Sequence, residues 1–168
     1  MTFDRLLGQL CAYASRKLNL ANRSKEYWDE SLGVKERCTT YFEEYLLPKS
    51  AKPLLLALDE ADLLFEHGSV SSDFFGLLRF WNEQAKSQPV WKRLKIIVSH
   101  STEPYLLIDT PNQSPFNVGL GIRLEEFNEA EAHELALRHS SKWTKANTKD
   151  LMALVGGHPY LVRKALYD

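Results

Sequence analysis

The stretch Leu54-Leu55-Leu56-Ala57-Leu58-Asp59-Glu60 carries five apolar residues in a row and stops abruptly at two acids. A continuous apolar run of this length, opened by Pro53, is the pattern of a strand buried on both faces, which predicts a central strand of a parallel sheet. Ligands of such sheets bind beyond the carboxyl ends of the strands, where Asp59 and Glu60 emerge. An acidic pair at that spot suits a magnesium nucleotide, one carboxylate holding the hydrated cation and the other orienting and deprotonating an attacking water. The plain alternative has Asp59 capping the next turn and Glu60 solvated.

Helical spacing dominates upstream. Phe3, Leu6, Leu7, Leu10, Ala14 and Leu18 share one face and predict a helix over 3–18. Residues 19–33 are polar, without a sustained period, and read as an ordered loop around Tyr27 and Trp28. Val34, Cys38, Tyr41, Phe42, Tyr45 and Leu46 then repeat at three and four until Pro48 stops the helix.

Downstream, Ser72 or Asp73 can cap a helix whose Phe74, Phe75, Leu77, Leu78, Trp81 and Ala85 form one wide stripe, ended by Pro89. A second buried strand is expected over Leu94 to Ser99, and a Pro-, Asn- and Gly-rich loop over 102–119. A more peripheral third strand is expected over Leu120 to Leu124, where apolar residues alternate with Gly121 and Arg123. Asn128 with Glu131 makes a capping-box start for a helix through Arg138. Two further helices, Asn147 to Val155 and Pro159 to Tyr167, flank Gly156-Gly157. Strands alternating with helices, followed by a helical tail, predict an α/β layer with a small helical appendage.

At 168 residues, the chain can remove about 70% of its unfolded surface from water and needs no disulfide or metal to hold a core. With 21 Lys plus Arg against 22 Asp plus Glu, it has no global field for phosphate backbones, and nucleic acid is not an expected partner. Cys11 and Cys38 fall on apolar helix faces and read as buried, reduced thiols. The five histidines lack zinc spacing, no Gly-x-Ser-x-Gly elbow occurs, and no apolar run approaches a membrane span. A cytoplasmic location is therefore expected.

Asp59-Glu60-Ala61-Asp62 spells the letters that name the DEAD-box helicases. Those enzymes need two tandem cores, a Ser-Ala-Thr motif and a basic RNA surface, whereas this chain is short, neutral and has Ser99-His100-Ser101-Thr102. A wider resemblance joins four pieces in order: the strand ending in Asp59-Glu60, Asp73-Phe74-Phe75-Gly76-Leu77-Leu78-Arg79, Asn112-Gln113-Ser114-Pro115-Phe116-Asn117-Val118-Gly119, and Gly156-Gly157-His158-Pro159-Tyr160-Leu161. Together they resemble the AAA-like P-loop ATPase domains of the STAND class, common in bacteria.

The resemblance implies a partial P-loop NTPase three-layer sandwich, a parallel sheet with flanking helices over 1–126, and a C-terminal helical lid over 127–168. It implies ATP and Mg2+ as cofactors of the intact domain, and as partners either other proteins or fused sensor and effector domains. Asp59 would be the magnesium ligand through water and Glu60 the catalytic base. Ser101 or Thr102 would occupy the sensor region that reads the terminal phosphate, against the alternative of a simple turn at a strand end. Gly157, His158 and Pro159 resemble the Gly-x-Pro lid motif at the nucleotide's base and ribose, against a helix cap followed by a helix start. Among Arg79, Arg123 and Arg163, only Arg163 sits where a sensor arginine is expected.

Gly-x-x-x-x-Gly-Lys-Ser/Thr, the phosphate-binding string of such ATPases, occurs nowhere in these 168 residues. In the family that loop and its strand precede the first helix seen here, and the strand sits between the sensor strand and the last one. The resemblance therefore implies a sheet wanting a central strand, with three solutions: an upstream portion of the same protein, a partner, or a last strand moved inward. The competing functional class is a truncated interaction module that no longer binds nucleotide.

Overall fold

Thr2 caps α1 (Phe3–Lys17), its hydroxyl accepting from the Arg5 amide, while Asp4 at the start and Arg16 and Lys17 at the end match the helix dipole. The computed structural model describes residues 2–101 and 118–167, which fall into two compact units, Met1–Leu120 and Gly121–Asp168. The expected loop over 19–33 holds one turn of helix, α2 (Ser24–Tyr27), whose Tyr27 ring meets Tyr41 edge-on at 5.2 Å.

Next, α3 (Val34–Thr40) continues through a widened π turn, Tyr41–Leu46, into a last turn, Leu47–Lys49. Pro48 was expected to stop the helix and instead lies inside that last turn. Proline cannot donate to the carbonyl four residues back and crowds it, and the wider turn sits immediately before it. Arg93 ties off the helix end: its Nε donates to the Leu47 carbonyl at 3.0 Å and its Nη2 to that of Ser50 at 2.5 Å. These are carbonyls that a helix end otherwise leaves unpaired.

Two strands form the sheet, β1 (Leu54–Leu58) and β2 (Leu94–Val98), parallel and in register from Leu54 opposite Leu94 to Leu58 opposite Val98. Between them run a 3-10 segment, Ala61–His67, then α4 (Ser69–Gln84) and a short 3-10 turn, Pro89–Arg93. The helix α4 starts ahead of the expected caps. Gly68 occupies the cap position, Ser71 is buried, and Asp73 accepts from Lys35 at 2.6 Å.

One core serves the first unit. Leu7 and Cys11 of α1, Cys38, Tyr41 and Phe42 of the α3 region, and Trp81 of α4 are fully or almost fully buried in it. Trp81 lies 4.6 Å from Phe42 and 5.5 Å from Trp91 between ring centres, and its indole donates to Thr39. The Cys11 and Cys38 sulfurs are 3.5 Å apart and both thiols are free and buried, as expected from the sequence. The hydrogen bond to Cys11, and then burial, hold the Cys38 thiol well above its ordinary value.

Against this core β1 packs Leu54, Leu56 and Leu58, and β2 packs Leu94, Ile96 and Val98. The other face is bare: Leu55 is 55% exposed, Ile97 is 56% exposed, and Ala57 and Lys95 are exposed with them. The expectation of a strand buried on both faces is therefore met on one face only. Side chains of a strand alternate between faces, so a run apolar throughout tells that both are suited to burial and not that both are covered. The expected third strand is also absent, for residues 120–124 have no ladder partner among the described residues. Leu120, Ile122 and Leu124 are 87%, 75% and 90% exposed, so neither pairing nor burial rewards an extended ladder there. What forms among the described residues is a mixed α/β unit with a two-stranded parallel sheet, without a last strand moved inward.

Three helices make the second unit: α5 (Glu129–His139), α6 (Lys145–Val155) and α7 (Pro159–Tyr167). Asn128 and Glu131 form the expected capping box. The start of α6 is earlier than expected, because Thr144 caps it and Asn147 is the reciprocal partner inside the helix. Ala132, Leu151 and Val162 are the buried centre of this small bundle, with Phe127 and Trp143 packed on them.

Arg93→Ala removes two charge-assisted bonds to helix-end carbonyls, and the expected loss is about 2 kcal/mol, read as a lower urea midpoint at unchanged slope.

Candidate functional site

The parallel ladder does not end with the strands. Beyond them the Ser99 amide donates to the Leu58 carbonyl at 2.8 Å, and the Ala61 amide donates to the Ser99 carbonyl at 2.9 Å. These two bonds clasp the residues on either side of Asp59-Glu60 to the end of β2. The acidic pair is thereby held at the carboxyl edge of the sheet, where α/β sheets bind ligands.

Glu60 is in the left-handed region, with φ 50° and ψ 43°. A residue with a Cβ pays roughly 1–2 kcal/mol for that conformation. Such strain persists where the surroundings dictate it, and it concentrates at functional sites. The Glu60 amide donates to Asp59 Oδ1 at 3.0 Å, and both side chains are exposed. The capping alternative thus holds for one oxygen of Asp59, and among the described residues its other oxygen and the Glu60 carboxylate are exposed.

Ser101 reaches the same edge, its hydroxyl donating to Asp62 Oδ2 at 2.7 Å. In the sequence Asp62 figures only as the last letter of Asp59-Glu60-Ala61-Asp62. Its presence three residues past Asp59, with a hydroxyl two residues past Ser99, was the available signal. Thr102 and the Asn112 to Asn117 stretch lie outside the described residues. Asp59, Glu60, Asp62 and Ser101 are thus brought together in the first unit.

Gly157, His158, Pro159 and Arg163 lie in the second unit. Gly156 caps α6 with φ 63°, and Pro159 opens α7. A Cβ on Gly157 would lie 2.2 Å from the Phe127 carbonyl oxygen, and the Phe127 amide donates to the Gly157 carbonyl at 2.8 Å. The glycine is therefore required by close backbone approach within this unit, whatever else it does. The His158 carbonyl accepts from the Val162 amide, and the Arg163 guanidinium lies 5.8 Å from the Tyr167 ring centre. Of the other two arginines, Arg79 pairs with Glu83 at 3.1 Å and Arg123 with Glu125 at 3.9 Å. No group of three or more histidines, cysteines or acids able to hold a metal occurs among the described residues.

The first unit is thus a parallel αβ unit with an acidic pair and a hydroxyl at the carboxyl edge of its sheet. The chain belongs to the AAA-like domain family, whose model matches residues 1–168. It is similar to an uncharacterized WD repeat-containing protein of Synechocystis, 29% identical over 115 residues, which are 67% of this chain and 10% of that protein. The matched portion thus spans about a tenth of the length of this curated relative. No solved structure matches the chain significantly.

Two substitutions separate strain from packing. Glu60→Gly relieves the left-handed residue, and the expected gain is about 1 kcal/mol of unfolding free energy, seen as a raised thermal midpoint. Gly157→Ala forces the Phe127 backbone aside, with an expected loss of about 2 kcal/mol confined to the second unit, seen as faster amide exchange in α6 and α7.

Proposed function

We propose that these residues are the Walker B, sensor and lid portion of a nucleotide-dependent regulatory ATPase of the STAND class, which binds ATP together with a phosphate loop supplied from outside this stretch. The observation that carries the reading is the strained, exposed Asp59-Glu60 corner clasped to the end of β2. Membership of the AAA-like family supports nucleotide as the ligand.

The residues present fit a magnesium nucleotide. Exposed carboxylates are hard oxygen donors, and magnesium is characteristically held by one or two of them plus substrate phosphates, without a protein cage. The bound cation would supply charge neutralisation at the transferring phosphoryl group. Asp59 would hold it through water, and the exposed Glu60 would orient a water and take its proton. Ser101, kept in place by Asp62, would offer its hydroxyl oxygen to that water or hydrogen-bond a phosphate oxygen after rotation. Gly157, His158 and Pro159 would close on the base and ribose, and Arg163 would sense the phosphate. Bound nucleotide would then set the balance between two states of attached sensor and effector domains.

A non-catalytic interaction module is the competing reading, favoured by the lack of Gly-x-x-x-x-Gly-Lys-Ser/Thr in the 168 residues. Calorimetry with MgATP separates the two on a polypeptide that extends upstream through a phosphate loop. Magnesium-dependent binding is expected, and its absence refutes the ATPase reading. In the same polypeptide, Glu60→Gln is expected to retain binding and lower turnover at least a hundredfold; unchanged turnover removes Glu60 from the role of base.

A further inference from the structure

The first unit holds a pair of nucleophilic side chains that the ATPase reading does not use. Cys11 in α1 and Cys38 in α3 face each other with their sulfurs 3.5 Å apart, and neither side chain reaches solvent. The chain has two cysteines, so one intramolecular pairing is open to it. Bonded sulfurs lie about 2.05 Å apart, so the pair needs to close by roughly 1.5 Å, which side-chain rotation and a small helix shift can share.

The groups around the pair hold the two helices in this alignment. Ser15, one turn past Cys11, donates to the Cys11 carbonyl at 2.8 Å and lies 2.7 Å from the hydroxyl of Tyr41, which follows Cys38 by three residues. With the serine proton on the Cys11 carbonyl, the tyrosine donates to Ser15 and in turn takes the Arg23 amide at 3.1 Å. Ser15 and Tyr41 are both buried, so this seam fixes the register that sets sulfur opposite sulfur. Close helix approach by itself asks only for small side chains there, and alanine would meet it equally. Facing sulfurs add a chemistry that alanine lacks.

We propose that Cys11 and Cys38 form a reversible redox-modification site, at which a low-molecular-weight disulfide such as oxidised glutathione converts the facing thiols into a bond that staples α1 to α3. One cysteine thiolate attacks a glutathione sulfur; the glutathione S–S bond breaks, a mixed disulfide forms and one glutathione thiolate leaves. The second cysteine thiolate attacks the protein sulfur of the mixed disulfide and expels the other glutathione thiolate. Two protein thiols are oxidised, one glutathione disulfide is reduced, and the two protons end on the two glutathione thiols. The hydrogen bond to Cys11, and then burial, favour the protonated Cys38 thiol, and attack also needs α1 to open locally, so exchange is slow and equilibrium is the proper measure of the site.

The two positions are 27 apart in sequence, so the bond takes the freedom of a long loop from the unfolded chain. Leu6 and Leu10 of the stapled helix also line a groove with Leu58, Leu64 and Phe74, next to the Asp59-Glu60 corner. The inference goes beyond the ATPase reading and does not rest on it.

The test equilibrates the 168-residue chain in glutathione buffers of graded ratio, with and without urea. Crosslinked chains are counted by the loss of two hydrogens from the intact mass and by the joined Cys11 and Cys38 peptides after digestion. Folding favours the bond by as much as the bond favours folding, so half-crosslinking of the folded chain is expected at a ratio of oxidised to squared reduced glutathione roughly tenfold or more below that of the unfolded chain. The crosslinked protein should melt roughly 5–10 °C higher, and reduction should reverse the gain. Cys11→Ala should remove the dependence of the melting midpoint on glutathione; Cys38→Ala makes the same test if the first variant fails to fold. A smaller difference between folded and unfolded chains, an unchanged or lowered midpoint on crosslinking, glutathione adducts or interchain bonds in place of the internal one, or a midpoint response that persists in the alanine variant overturns the proposal.

Discussion

The parallel ladder between β1 and β2, prolonged by the Ser99–Leu58 and Ala61–Ser99 bonds, is the constraint on which the first unit depends. It is only five residues long, yet it aligns two apolar rows on one face and so creates the surface that the helices bury. It also sets where the chain must leave the sheet. Because Leu58 and Ala61 are both tied to Ser99, only two residues make the corner, and the second takes a left-handed conformation at Glu60. Local strain and site position thus have one cause.

The core supports that ladder through aromatic packing joined by a few buried polar bonds. Trp81 lies between Phe42 and Trp91, joining α4, the π turn and the turn before β2. Arg93, immediately ahead of β2, bonds the end of the α3 region and so ties the helix end to the start of the second strand. Tyr41 combines both kinds of contact, its buried hydroxyl bonding Ser15 at 2.7 Å and taking the Arg23 amide at 3.1 Å. These bonds lie at the base of the strands, and the exposed acids and Ser101 lie at the opposite, carboxyl edge.

The two units differ in what their glycines and caps explain. In the second, Gly157 is fixed by the Phe127 backbone, and the capping boxes at Asn128 and Thr144 define where helices start. These features account for the Gly-Gly-His-Pro letters at the level of packing, and the lid role adds to them without being needed to explain them. In the first unit the backbone bonds to Ser99 explain the left-handed corner but not why the residue there is an acid. This asymmetry is why Asp59-Glu60 carries more weight for function than the lid motif does.

Helical periodicity located α1, α3, α4 and the three C-terminal helices, and an apolar run ending in acids located β1 and its charged corner, because these signals depend on residues close in sequence. The π turn before Pro48 and the early start of α4 at Gly68 were not legible, since both reflect how a helix is held by its neighbours. Alternation over Leu120 to Leu124 suggested a strand, but a strand exists only when another backbone accepts its hydrogen bonds. Five consecutive apolar residues likewise showed that both faces of β1 are suited to burial. Only the tertiary structure decided that one face is packed and the other bare, because burial belongs to the partner that arrives and not to the residue that waits for it.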